Sequence, residues 1–423
     1  NCLSDEDPEV RALACDALSR LGNAEMAEHL FPLLSDTSAR VNHAAVGAIQ
    51  SLGSRKAREL ALASAKSENS NERKSALRIL AYFGDDAALE PLISALKDPE
   101  FKVQEAAIQG LPYLEDSKAL TALLEVAKHP EAKSRALAAR SLGLVPNVSE
   151  RVVGVLLKLL SDQDAWVRYY ACQALGRLEI EIATPEIVSL LSDSAGQVRV
   201  SAVEALSHLN SSQAHEALRK AATSPEVEIR RAALVGLGFS RRLEDLPVVL
   251  VGATSDDIST KLMALSSLAG FASPLATEAL CAAAKETDEQ VSSTAINFLA
   301  ARPEQIATEI LIDLLKSEST RDRARNALRI ASKGRLAGIL ETLESANDDL
   351  APLLISVLSK MDRNEARNGL LSAMKSVNPA ARRAAAAGLA ARRDPEMIQA
   401  LQDAAELDSD NEVRQICHLL LHD

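Results

Sequence analysis

Apolar positions along this chain fall into a short pattern that returns about every 31 residues. Its anchor, most often Val, recurs at Val10, Val41, Glu72, Val103, Ser134, Val167, Val198, Ile229, Thr260, Val291, Thr320, Leu350, Ala381 and Val413. Four residues on stands Ala in twelve of fourteen cases, with Leu354 and Cys417 as exceptions. Eight residues on stands Leu in all but one, where Ile49 takes its place. Spacings of four and eight set these residues in one stripe of a helix that faces a core. The small Ala lets a neighbouring helix approach, and the Leu fills the space beside it. A fixed period in this range means stacked supersecondary units, each covering the apolar face of the next.

The stretch just upstream of each stripe is acidic or turn-forming, as in Ser4-Asp5-Glu6-Asp7-Pro8, Lys97-Asp98-Pro99-Glu100 and Ser161-Asp162-Gln163-Asp164. Asp and Ser there predict N-caps, and Pro99 and Pro225 suit a first helical turn. Gly22, Gly53 and Gly84 follow the stripe where a helix would end. A preceding apolar segment, such as Leu89–Leu96 or Glu186–Leu191, supplies a first helix. No run alternates with period two for long enough to propose a sheet, so the reading is all-α: helix, capped turn, helix. The residue after the anchor is basic in ten of fourteen repeats, among them Arg11, Arg73, Arg135, Arg168 and Arg382. Paired with a carboxylate in a turn, these predict a ladder from repeat to repeat, each exposed pair worth about 0–1 kcal/mol.

The pattern Asp-x-x-x-x-Val-Arg-x-x-Ala-x-x-x-Leu-Gly, fullest in Ser161–Gly176, resembles the HEAT repeat. It is most similar to the short, Ala-rich bacterial subtype first associated with phycobilisome lyases. The resemblance covers essentially the whole chain and implies a right-handed α-solenoid of stacked antiparallel helix pairs. Residues 1–22 then read as a half repeat, a second helix alone, and 23–423 as thirteen helix pairs in one continuous array. Its motif specifies architecture and leaves function open.

Charge narrows the classes. Lys and Arg number 47 against 59 Asp and Glu, a net of −12 over 423 residues. That argues against a protein broadly coating nucleic acid or anionic membrane. No apolar run approaches the roughly 20 residues needed to span a bilayer. The polar start Asn1-Cys2-Leu3-Ser4 is no signal peptide, and reads as the tail of a helix that begins upstream; a cytoplasmic protein is expected. The last repeat stays apolar over Gln415–Leu421, a surface that could close a homodimer.

Catalytic and metal chemistry find no footing. The five cysteines have no metal or redox spacing, and Cys15 and Cys172 occupy core positions of the stripe. His418 and His422 stand four apart without a third ligand, and His215-Glu216 is the only His-Glu pair. No phosphate loop or nucleophile elbow is present. The expectation is no catalytic residue, no cofactor and no metal.

Binding candidates come from the aromatics and from uneven charge. Tyr82 and Tyr113 both lie ten residues past their anchors, in a row continued by Arg177, His208 and Phe239. In a HEAT array the second helices line the concave wall, so this row would face the groove, with Arg78, Gln109, Arg140 and Gln173 beside it. From Thr320 to Arg393, fourteen Lys and Arg face seven Asp and Glu, a local +7 that leaves −19 for the remainder. Arg325, Arg329, Arg383 and Arg392 are the candidates there for acidic side chains of a partner. The sequence reading is a non-catalytic scaffold that binds a partner protein along its concave surface. The alternatives are a bilin lyase-like chromophore factor, and nucleic-acid binding through the basic C-terminal repeats.

Overall fold

A computed structural model describes residues 2–330, 333–361, 363–390 and 395–422. The described residues form helices and turns with no strand among them. They fall into two compact units, Asn1–Ala217 and Leu218–Asp423.

In the first unit the second helices of the repeats run Pro8–Leu21, Ala39–Leu52, Ser70–Phe83, Phe101–Gly110, Ala132–Leu142, Ala165–Arg177 and Gly196–Ser207. Each packs against the next, and a shorter first helix packs beside it. The second unit repeats the scheme with Val227–Ser240, Ile258–Leu268, Glu289–Leu299, Glu318–Arg329, Leu350–Leu358, Pro379–Ala390 and Asn411–His422. The Ala of the stripe is fully buried wherever it has neighbours on both sides, from Ala45 and Ala76 to Ala324 and Ala385. So are Leu175, Leu206, Leu237 and their counterparts from Ile49 to Leu389. Burial of each such Leu contributes about 1.5–3 kcal/mol.

Caps follow the sequence in part. Asp7, Asp164 and Asp288 accept from backbone N–H groups of the first turn. Gly22, Gly53 and Gly84 end their helices in the left-handed region, with φ of 69, 46 and 64°. Pro8 occupies the first position of its helix. Pro99 and Pro225 do not: the helices begin at Phe101 and Val227, behind Glu100 and Glu226. These prolines sit in the preceding turn, and a proline disfavours the helical region for the residue before it.

The Arg–Asp ladder forms, with a geometry the sequence did not disclose. Arg11, Arg73, Arg135, Arg168 and Arg382 each make two parallel hydrogen bonds to Asp36, Asp98, Asp162, Asp193 and Asp408 of the following repeat, at 2.7–2.9 Å. The third guanidinium nitrogen donates to carbonyls of the arginine's own turn, as with Ser67 and Glu68 for Arg73. The pairs are largely buried, so the exposed-pair value does not apply to them. Where Lys261 replaces the arginine, one contact to Glu286 remains.

Two further arginines are buried in the second unit. Arg302 donates to the carbonyls of Leu268 and Phe271, and Arg335 to those of Leu299, Ala300 and Arg302. Each supplies donors and positive charge at a helix C-terminus, where the last carbonyls lack helical partners.

Candidate functional site

The helix Ser70–Phe83 carries Arg78, Ala81 and Tyr82 on the turns before its Gly84 stop. The next second helix, Phe101–Gly110, ends one turn early because Pro112 has no N–H to continue the α-helical ladder. Leu111–Tyr113 instead form a short 3-10 turn. Tyr113 therefore shares a sequence register with Tyr82 while standing on different local structure. Gly110 makes the close approach possible. A Cβ there would lie 2.8 Å from Ala81 Cβ and 3.0 Å from Leu92 Cδ2.

The result is an open pocket of about 790 Å³ across four successive second helices. Gln50, Arg78, Tyr82, Gln109, Tyr113 and Arg140 line it. Tyr82 is 62% and Tyr113 60% exposed, high for aromatic side chains of this size. The Gln50 amide donates to the Arg78 carbonyl at 3.1 Å, tying neighbouring helices at the pocket floor. Arg140 reaches from the pocket to the ring of Tyr170, 5.9 Å from its centroid. Tyr170 in turn packs edge-on against Tyr169, and both lie against Trp166, which is 52% exposed. Arg140 thus joins that trio to the tyrosine pocket.

Lys74 lies on the same helix as Arg78. Burial pushes its ammonium below the usual lysine range, and the charges of Arg78 and Lys102 push it the same way.

The remaining candidates are distributed otherwise. Arg177 ends the Ala165–Arg177 helix and His208 follows Ser207; both are exposed at equivalent positions, outside that pocket. In the second unit Phe239 holds the same register, 74% exposed. Arg325 is half-buried and donates to Asp322 at 3.0 Å. Arg329 donates to the Lys360 carbonyl at 3.1 Å. Arg383 is surrounded by acids: Asp348 at 2.6 Å, Glu412 at 3.1 Å and Asp410 at 3.6 Å. The stretch that looks basic in sequence is thus extensively paired within the fold. Arg392 lies outside the described residues.

The thiols of Cys15, Cys281 and Cys417 are raised by burial to about 11, and that of Cys172 to about 12. They are core groups. Among the described residues no helix is long and apolar enough to cross a membrane.

Comparison with known proteins agrees with this architecture. The family described as HEAT repeats matches residues 1–76, 59–143, 120–196, 153–238, 184–257, 246–331 and 336–421. No curated protein matches the sequence. Among solved structures, Kap95p, studied with RanGDP, is similar over 99% of this chain and 69% of its own, at 14% identity and a TM-score of 0.55. YibA of E. coli is similar over 61% of this chain and 94% of its own, at 19% identity and a TM-score of 0.46. The CpcE–CpcF complex of phycocyanin lyase from Nostoc matches over 57% of this chain and 96% of that one, at 23% identity and a TM-score of 0.35. At these identities the likeness to Kap95p speaks for the fold alone.

Proposed function

This chain belongs to the HEAT-repeat family, and from that premise we propose that it is a non-catalytic scaffold holding an extended segment of a partner protein. The segment lies along the concave face built by the second helices, with its centre at Tyr82 and Tyr113. One observation carries the reading. The chain has only four tyrosines and one tryptophan, and all five stand on or directly after the second helices between Ser70–Phe83 and Ala165–Arg177. Three of them, Tyr82, Tyr113 and Trp166, are more than half exposed. Tyr and Trp dominate binding hot spots because they offer large, rigid, amphipathic area. Left in water they cost the fold apolar surface without adding core.

An extended segment suits the repeat, since it meets one side chain of the register per helix pair. The internal pairing of Arg325, Arg329 and Arg383 counts against the basic C-terminal stretch as the main contact, for nucleic acid or for a protein. A photo-crosslinking amino acid at Tyr82, with another at exposed Val377 as control, tests the proposal in native lysate. The Tyr82 probe should capture a discrete protein that the Val377 probe does not. Identical products from both positions would sink it.

A further inference from the structure

The charge on this face says what kind of segment it takes, and the inference rests on the reading above that the face is the partner site. Many arginines of the second helices are taken up by carboxylates of the same chain, among them Arg73 by Asp98, Arg135 by Asp162 and Arg168 by Asp193. Lys74, Arg78 and Arg140 have no carboxylate within ion-pair distance among the described residues. They stand together in a chain of net charge −12. Two of the three line the pocket with Tyr82 and Tyr113. Arg140 is exposed and lies over the Tyr170 ring, an arrangement that holds a guanidinium plane while its edge stays available to an anion.

We propose that the bound segment is acidic, with Asp or Glu side chains that pair with Arg78 and Arg140 and flank an aromatic or large aliphatic residue seated between Tyr82 and Tyr113. Guanidinium and carboxylate match as a two-bond fork, and a partly enclosed, aromatic-walled pocket strengthens that pairing relative to open water. The glutamines at Gln50 and Gln109 add donors for the segment's backbone carbonyls. A single-stranded nucleic acid would also stack on tyrosines, but it needs a positive groove that tracks its backbone. Here the same helices carry Glu105, which accepts from Gln109, and exposed Glu204, so a continuous phosphate path is not provided.

A random peptide library displayed on phage and selected on the whole chain tests this. The enriched sequences should place Asp or Glu beside Phe, Tyr, Trp or Leu. Synthetic versions, followed by fluorescence anisotropy, should bind at least about tenfold more weakly to Arg78→Gln/Arg140→Gln and to Tyr82→Ala/Tyr113→Ala, a hot-spot scale of loss. Arg140→Gln alone, at an exposed position, guards against a folding defect and should show part of the loss. Loss with the tyrosine variant but not with the arginine variants, or enrichment of neutral or basic peptides, overturns the acidic ligand and leaves the partner face standing. Binders indifferent to the tyrosines overturn both. Labelled oligo(rU) binding as tightly as the selected peptides overturns the proposal in favour of nucleic acid.

Discussion

Arg168 and Asp193, twenty-five residues apart, are joined by two parallel hydrogen bonds of 2.7 Å, from Nε to Oδ2 and from Nη2 to Oδ1. The same guanidinium donates through Nη1 to the carbonyls of Asp162 and Gln163, and Asp193 accepts from the Ala195 N–H. One side chain therefore closes its own turn, pairs with the next turn and orients the acid that shapes it. Because the acid also accepts from a backbone N–H, directional hydrogen bonds on both sides help set the spacing from one helix pair to its neighbour.

Arg168→Ala should destabilise the first unit by about 1–3 kcal/mol, since it strands a largely buried carboxylate and two carbonyls. Arg55→Ala, which removes only the exposed partner of Glu59, should change stability by less than about 0.5 kcal/mol. Urea titrations followed by circular dichroism compare the two midpoints. Equal shifts would show that the ladder adds no more than an ordinary surface pair. Arg168→Lys should recover only part of the loss, because a point charge cannot make the fork.

Acid should loosen the ladder. Hydrogen bonds from Arg11 and Arg168 hold the Asp36 and Asp193 carboxyls below the usual carboxylate range. A group with a lowered folded pKa contributes its stability in full above its unfolded pKa, near 3.9, and loses it as pH falls through the folded value. The urea midpoint should therefore be flat on this account between about pH 5 and 7 and fall below about pH 4. Asp36→Asn/Asp193→Asn should start lower at neutral pH and fall less steeply in acid. A double variant with the wild-type slope would exclude these carboxylates as its source.

The period of 31, the burial of Ala171 and Leu175 and the exposure of Tyr82 and Tyr113 were all legible in sequence, because each depends on helical spacing. What the sequence hid depends on pairing across repeats. Counting charges from Thr320 to Arg393 includes Arg335, which the fold buries against three carbonyls, and Arg383, which it surrounds with acids. Conversely, Arg78 and Arg140 look like ordinary members of the register. They matter because no turn of a neighbouring repeat places a carboxylate beside them, and a one-dimensional count cannot show that. The short 3-10 turn at Tyr113 had a signal in Pro112, which the helical register alone passes over.

Thiol chemistry offers a direct check on the core. Cys15, Cys172, Cys281 and Cys417 are buried and Cys2 is exposed; burial raises the four buried thiols to about 11 or 12. At neutral pH an aromatic disulfide reagent should consume one thiol quickly, and the other four only on unfolding. Fast reaction of Cys172 in the folded protein, read by mass spectrometry, would contradict the packing of the Ala165–Arg177 helix.

The tyrosine pocket should depend on Gly110 as much as on the tyrosines. A methyl group there meets Ala81 Cβ at 2.8 Å, and Ala81 has no rotamer with which to move aside. Gly110→Ala gains about 0.5–1 kcal/mol of helix propensity, but overpacking of a fixed contact costs about 1–3 kcal/mol, so the net effect should be a small destabilisation. The larger consequence is geometric. Relief of the clash pushes the Phe101–Gly110 helix end, and with it Tyr113, away from Tyr82, so partner binding should weaken even though neither tyrosine is altered. Ala81→Gly in the same chain removes the clashing methyl and should restore binding while remaining slightly less stable than wild type. Binding unaffected by Gly110→Ala, measured with the segment captured at Tyr82, would mean that the two tyrosines act independently and that their spacing is not what the partner reads.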